Sequence, residues 1–248
     1  MNYNHLIPEP IIIDNFLSVK DSQRIWDEIT NRVAELKHWD SNIDYTNWRL
    51  SLDDKRTIMN SDILDIFDKI WTSPKVIHAL EANYNYCTQM LLSADTDVTY
   101  IKIEGEGDVC GWHKNDWARF PGMLTLVNWI WYLDYNHNYE GGELDYSFEN
   151  IRQQSGNWSP IKPIKQFKTI KNEHNRFVLF PSFFWHRVRP IKFNFYEGPL
   201  WGRMGINGHV GFKLVNQKPM MYDGYDYNKL DPEIHDVKEY RLHGTRFV

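Results

Sequence analysis

Apolar positions along this chain change their period near residue 90. Before that point they recur at helical spacing: Ile25, Trp26, Ile29 and Val33 form one stripe, and Ile63, Leu64, Ile66, Phe67 and Ile70 a second. Ser18 stands where an N-cap would open the first helix, and Ser73-Pro74 opens another that carries Val76, Ile77 and Leu80. The run Ile11-Ile12-Ile13 ahead of them reads as a short buried strand, and the passage from Trp39 to Lys55 is polar. Residues 1–88 are therefore expected to be mainly helical. Beyond them come short β-rich runs separated by Gly, Asn and Asp, at 97–103, 123–133, 142–148, 177–180, 186–191 and 201–215. Many short strands at this pitch predict a sandwich, jelly roll or barrel over 89–215. Alternation places Asn128, Ile130 and Tyr132 on one face of their strand and Val127, Trp129 and Trp131 on the other. The stretch 150–171 reads as a long loop of the functional or mobile kind, and 216–248 as a polar C-terminal extension. A chain of 248 residues lies within what one core can organise, so 1–248 is expected to be a single domain.

Composition narrows the class. Apolar residues at 42% and charged residues at 25% describe a soluble globular protein. A net charge of −5 supplies no electrostatic footprint for phosphate backbones, so no nucleic-acid partner is expected. Cys87 and Cys110 have neither disulfide-scaffold density nor zinc spacing, which points to a reduced, cytoplasmic chain. The N-terminus lacks a basic region ahead of an apolar stretch, and the apolar segment 123–133 falls short of the ~20 residues that a membrane span needs. Neither export nor membrane attachment is expected. Aromatic residues reach 15%, with 11 Trp, a surplus that suits a cleft, a stacking surface or a bulky core alike.

Two places carry candidate chemistry. In Gly111-Trp112-His113-Lys114-Asn115-Asp116 an imidazole and a carboxylate lie close together after a β-run. In Phe177-Val178-Leu179-Phe180-Pro181-Ser182-Phe183-Phe184-Trp185-His186-Arg187-Val188-Arg189-Pro190 a strand, a turn and a second strand lead to another histidine. Two histidines and one carboxylate on one face of an octahedral metal leave three positions open, the arrangement of non-haem Fe(II) oxygenases.

The order of the remaining motifs resembles the prolyl 4-hydroxylase-like branch of the 2-oxoglutarate/Fe(II)-dependent dioxygenases. That family's string runs from a tyrosine and glycine through HxD, YLN, GGE, FPS and H-x-V-x-P to an arginine on a later strand. The matching residues here are Tyr100 and Gly105, His113, Tyr132-Leu133-Asp134, Gly141-Gly142-Glu143, Phe180-Pro181-Ser182, His186 to Pro190, and Arg203. The resemblance covers about residues 10–213. It implies an α+β chain: a double-stranded β-helix (jelly-roll, cupin-like) core with the N-terminal helices packed on one sheet. It further implies Fe(II), 2-oxoglutarate and O2 as cofactor and cosubstrates, ascorbate as a reductant, and a peptide or small-molecule substrate. The reaction would be C–H hydroxylation coupled to conversion of 2-oxoglutarate into succinate and CO2.

The resemblance also assigns roles. Arg203 would pair with the far carboxylate of 2-oxoglutarate, as a planar guanidinium suits. Arg189 and Lys192 compete for that role, because the gap between His186 and Arg203 is longer than the family's. Tyr132 and Tyr100 would donate hydroxyls to the cosubstrate, while Trp112, Trp117, Trp185 and Trp201 would line the mouth and contact substrate. Glu143 reads as structural.

One departure from the pattern bears on the metal. The family's carboxylate lies two residues after the first histidine, where this chain has Asn115; Asp116 follows it. Strand geometry favours Asn115, since i and i+2 share a face, but an anionic ligand suits Fe(II) better. The expected ligand set is therefore His113, Asp116 and His186, with a one-residue bulge aiming Asp116. Two other classes remain open: a jelly-roll module that binds carbohydrate or peptide and has a degenerate metal site, and a zinc hydrolase using His113, His186 and a carboxylate.

Overall fold

The computed structural model describes residues 9–31, 37–41, 45–51, 73–84, 95–104, 110–115, 123–133, 139–153, 159–193 and 203–213. The first helix, α1 (Val19–Asn31), begins where Ser18 caps it. The Ser18 hydroxyl accepts from the Asp21 backbone N–H at 3.1 Å and donates to the Asp21 carboxylate at 2.7 Å, so the first turn is satisfied from both sides. Its buried stripe includes Ile25 and Ile29. The second helix, α2 (Pro74–Tyr84), starts at the proline as expected. Among the described residues no helix is long and apolar enough to cross a membrane.

The strands are β1 (Ile11–Ile13), β2 (Lys37–Ser41), β3 (Tyr45–Ser51), β4 (Asp95–Glu104), β5 (Cys110–His113), β6 (Met123–Tyr132), β7 (Tyr139–Gly141), β8 (Leu144–Ser147), β9 (Lys168–Ile170), β10 (Phe177–Pro181), β11 (Trp185–Val188), β12 (Ile191–Phe193) and β13 (Arg203–Lys213). One antiparallel path runs β1-β10-β6-β13-β4-β3-β5-β11-β8-β9, with β2 hydrogen-bonded to β3; β12 and β7 form a separate pair. The two ends of that path pack on each other. Tyr132 of β6 and Val178 and Phe180 of β10 share one buried cluster with Leu144 and Tyr146 of β8 and Ile170 of β9. This antiparallel, inward-facing closure is the jelly-roll arrangement expected of 89–215, and it places Ile130 and Tyr132 on its inner face.

Two local expectations change. The polar passage at 37–51 forms the β2–β3 hairpin, so the N-terminal part is not purely helical. Thr46, Trp48 and Leu50 alternate with Tyr45, Asn47 and Arg49. A search for helical stripes does not register apolar residues at every second position. The stretch 150–171 closes with β9, and Glu149 pins the segment before it by accepting from the backbone N–H groups of Lys165 and Gln166. The second predicted helix, at 63–70, lies outside the described residues.

A single asparagine ties the start of the chain to the barrel. Asn175 has a φ of 57°, a left-handed conformation that asparagine tolerates better than most residues. Its backbone N–H donates to Tyr132 O at 2.8 Å and its carbonyl accepts from Phe16 N at 3.0 Å. Its side chain donates to Leu17 O at 2.8 Å and accepts from Leu17 N and from the buried Trp131 indole, both at 3.1 Å. Phe16 then stacks on Phe177 at 4.3 Å, on the outer face of β10. Asn175→Ala removes these side-chain bonds and puts a Cβ-bearing apolar residue at positive φ. The expected loss is about 3 kcal/mol of unfolding free energy. Urea denaturation checks it, with Asn175→Gly recovering only the backbone part.

Candidate metal and cosubstrate site

The antiparallel register of β11 on β5 sets His186 directly opposite His113. Their ring centroids lie 4.0 Å apart at an interplanar angle of 53°. Each ring is fixed by the carbonyl two residues before it: His113 Nδ1 meets Gly111 O at 2.8 Å and His186 Nδ1 meets Phe184 O at 2.9 Å. A carbonyl only accepts, so each Nδ1 carries the hydrogen and each Nε2 presents a lone pair. Phe180 packs edge-on against His186, with ring centroids 4.9 Å apart, and His186 is buried. Two imidazoles of fixed tautomer on adjacent strands suit a first-row divalent cation, iron included.

The ladder continues past β5, where the Asn115 backbone N–H donates to Ser182 O at 3.0 Å. This carries the Asn115 side chain to the histidine pair. Its Nδ2 lies 3.3 Å from His186 Nε2 and donates to Asn128 Oδ1 at 3.4 Å. Asp116, the expected third ligand, lies outside the described residues. Among the described residues no group of three His, Cys, Asp or Glu side chains gathers in one place. The described donors at this point are two imidazoles and a neutral amide.

Arg203 opens β13 and is 2% exposed. Gly205, two residues on, is opposite Tyr132 of β6, so Arg203 shares the face on which Tyr132 looks inward. The guanidinium carbon sits 4.8 Å from the Tyr132 ring centroid. The Gly-Gly pair ahead of Glu143 makes this seat possible. Gly141 and Gly142 have φ values of +89° and +75°, and a Cβ on Gly142 would come within 2.9 Å of Arg203 Cδ. A Cβ on Gly141 would overlap the Pro190 carbonyl oxygen at 2.0 Å. The motif is thus a turn at positive φ and a groove for the arginine stem.

The competing cations are occupied or exposed. The carboxylate of Asp145, fully buried, takes Arg189 Nε at 3.0 Å and Arg187 Nε at 3.0 Å, and accepts from Thr169 Oγ1 at 2.7 Å. The hydrogen bond that Arg189 donates to Asp145 raises the Arg189 guanidinium above its ordinary pKa. Lys192 is exposed on β12. Tyr100 stands opposite Asn207 in the β4–β13 register, and Asn207 is opposite Ile130 of β6.

The tryptophans do not assemble as expected. Trp185 and Trp112 each immediately precede a site histidine, and strand alternation turns them to the opposite face. Trp185 is fully buried and donates its indole N–H to Ile151 O at 3.1 Å. Trp112 instead meets Arg187, 4.8 Å from its ring, and Phe167, with centroids 5.7 Å apart. Trp185 and Trp112, expected at the mouth, thus pack on the face opposite the histidines. Trp117 and Trp201 lie outside the described residues. Sequence reasoning assigned no role to Asn128, although alternation had put it on the pocket face.

No family model matches this chain, and no curated protein matches it by sequence. Solved structures do. It is similar to a prolyl-4-hydroxylase from Pseudomonas putida, at 14% identity over 84% of this chain and 93% of that one, with a TM-score of 0.52. It is similar to a prolyl hydroxylase from Trichoplax adhaerens in complex with a hypoxia inducible factor oxygen degradation domain peptide fragment (16%, 85% and 86%, TM-score 0.55). HygX from Streptomyces hygroscopicus, with nickel and 2-oxoglutarate bound, matches over 92% of both chains at 10% identity and a TM-score of 0.56. At these identities the likeness is one of fold. The chain has the jelly-roll fold found in prolyl-4-hydroxylases and other 2-oxoglutarate/Fe(II) oxygenases.

The histidine pair makes a direct prediction. His113→Ala and His186→Ala each weaken Mn(II) or Zn(II) binding, measured calorimetrically, by at least about tenfold. Trp112→Ala, on the opposite face, leaves that affinity unchanged.

Proposed function

We propose that this chain is a 2-oxoglutarate- and Fe(II)-dependent dioxygenase that hydroxylates a C–H bond of a peptidyl, prolyl-like, or amino-acid or small-molecule substrate. The observation that carries the reading is the opposition of His113 and His186, each ring held through Nδ1 by a backbone carbonyl, inside a barrel whose inner face also buries Arg203. Bound iron would supply the activation of O2 and the oxidative decarboxylation of 2-oxoglutarate to succinate and CO2.

The chain's own residues supply binding and exclusion of water. His113 and His186 would hold the iron from adjacent strands. Arg203 would take the far carboxylate of 2-oxoglutarate, an anion suited to its fork, with the Tyr132 hydroxyl beside it and Tyr100 as a further hydroxyl. Phe180, Val178 and Leu144 wall the same cluster and keep it apolar. That lowers the local dielectric and strengthens the pairing of Arg203 with an anion. We read α1 and α2 as packed on the outer face of the sheet, the reading supported by Phe16 on Phe177 and by the Lys75 ammonium donating to Asn15 O at 3.1 Å. A cytoplasmic location follows from the reduced-cysteine argument. The structures solved with a peptide fragment or with 2-oxoglutarate are consistent with these ligand classes.

Purified chain given Fe(II), 2-oxoglutarate and O2 is expected to form succinate, with loss of the signal in His186→Ala and in anaerobic buffer. Turnover that persists without metal contradicts the reading, and retained activity in strictly anaerobic buffer returns the zinc hydrolase. Ligand binding with neither succinate nor bound iron returns the jelly-roll binding module, which the amide at Asn115 would favour. Gly142→Ala, which crowds the Arg203 stem, should raise the Kd for 2-oxoglutarate at least about tenfold while metal affinity stays within about twofold. Titration of each ligand separately distinguishes the two effects.

A further inference from the structure

We infer that the outer face of the β5-β11-β8-β9 sheet, with the 159–171 segment lying along it, is a docking surface for an acidic peptide segment of a partner protein. Binding there is independent of the oxygenase reading, since it uses none of His113, His186 or Arg203.

The first support is a pair of arginines with donors to spare. Arg187 and Thr169 both stand opposite Asp145 in the strand registers, on the face away from the inward-packed Leu144 and Tyr146. The single buried carboxylate of Asp145 takes both Arg187 and Arg189, so two guanidiniums are matched by one anion. Arg187 gives Nε and Nη2 to that carboxylate; Arg189 gives Nε to it and Nη2 to Thr169 Oγ1 at 3.0 Å. Among the described residues nothing accepts from Nη1 of either arginine, and about a third of each side chain is exposed (33% and 37%). Aromatic rings fix both cations: the Arg187 guanidinium carbon lies 4.8 Å from the Trp112 ring and 5.3 Å from that of Phe167, and Arg189 lies 6.0 Å from Phe167. Cations held in this way lose little side-chain freedom when a partner's carboxylate arrives.

The second support is the charge of the segment beside them. Residues 149–171 carry five cations against one anion, Glu149, in a chain whose net charge is −5. Lys168 is matched by Glu9, whereas Lys162 and Lys165 are exposed. Ser147, opposite the outer-face Trp185, ties this segment to the sheet by donating to Gln166 O at 2.6 Å and accepting from Glu149 N at 3.1 Å. The backbone N–H groups of Gln166 and Lys165, helped by the charges of Lys162 and Lys165, hold the Glu149 carboxyl below its ordinary range. Ile161 and Phe167 are exposed among these cations. A face that mixes cations with apolar side chains is complementary to a peptide that mixes carboxylates with apolar residues. A nucleic-acid strand offers a phosphate at every step, and beyond this patch it would meet a chain of its own sign.

The test is fluorescence anisotropy on the full-length chain with three labelled probes: a short peptide of alternating glutamate and leucine, the same peptide with glutamine in place of glutamate, and an oligothymidylate of equal length. The acidic peptide is expected to bind at least about tenfold more tightly than the glutamine peptide, and to lose at least about tenfold in affinity between about 0.05 M and about 0.5 M salt. The double substitution Lys162→Gln with Lys165→Gln should weaken it at least about fivefold. Lys20→Glu on α1, which makes the chain more negative by the same amount, should stay within about twofold of wild type, with circular dichroism unchanged in both variants. Equal affinity for the two peptides, a lysine double variant that matches wild type, or tighter binding of the oligothymidylate overturns the inference. Each of those outcomes leaves the oxygenase reading standing.

Discussion

The candidate site depends on one register: His186 of β11 paired with His113 of β5. Because a strand's side chains alternate, a slip of one residue would replace His186 at that point with Trp185 or Arg187 and turn the imidazole to the outer face. Several contacts hold the register from both sides of the sheet. On the inner face Phe180 packs on His186 and the Phe184 carbonyl holds its Nδ1. On the outer face Trp185 is buried and bonded to Ile151 O, and Arg187 is bound to the buried Asp145. The residues between the histidines and solvent are thus clamps on strand position, which explains why so many aromatic side chains lie here without facing the site.

The second dependence is the burial of a cation. Removing a guanidinium from water is costly, and the chain builds a specific cradle to do it at Arg203. Gly142 yields the space that a Cβ would fill, Tyr132 offers its ring face, and the β7–β12 pair closes over the turn. Arg189, close in sequence to His186, is kept out of the pocket by Asp145, whose carboxylate holds it on the other face. In the proposed reading Arg187 and Arg189 serve the scaffold and Arg203 the cosubstrate, and strand alternation decides which is which.

Much of this was legible in the residues because strands advertise their faces. Alternation along β6 correctly separated Ile130 and Tyr132 from Trp129 and Trp131, and Ser18 and Pro74 marked two helix starts. The β2–β3 hairpin was not legible as structure, since its apolar residues are few and occur at every second position in a polar stretch. At the site, motif order singled out the two histidines that the β5–β11 register brings together and the arginine that is buried. The placement of Trp112 and Trp185 was not legible, because adjacency to a histidine in sequence means opposition on a strand. Asn115 posed a contest between geometry and ligand charge that composition could not decide; in the structure its Nδ2 lies 3.3 Å from His186 Nε2.

In the proposed reading the histidine pair and the buried arginine form one chelate site for a metal and a 2-oxo acid. Its most direct test is an anaerobic titration of the Fe(II)-loaded chain with 2-oxoglutarate, followed by the visible charge-transfer absorption that a chelated keto acid gives with ferrous iron. A saturable band is expected, absent in His186→Ala and requiring far more 2-oxoglutarate in Arg203→Ala. A chain that takes up iron yet develops no such band, or one whose band is indifferent to Arg203, would contradict it.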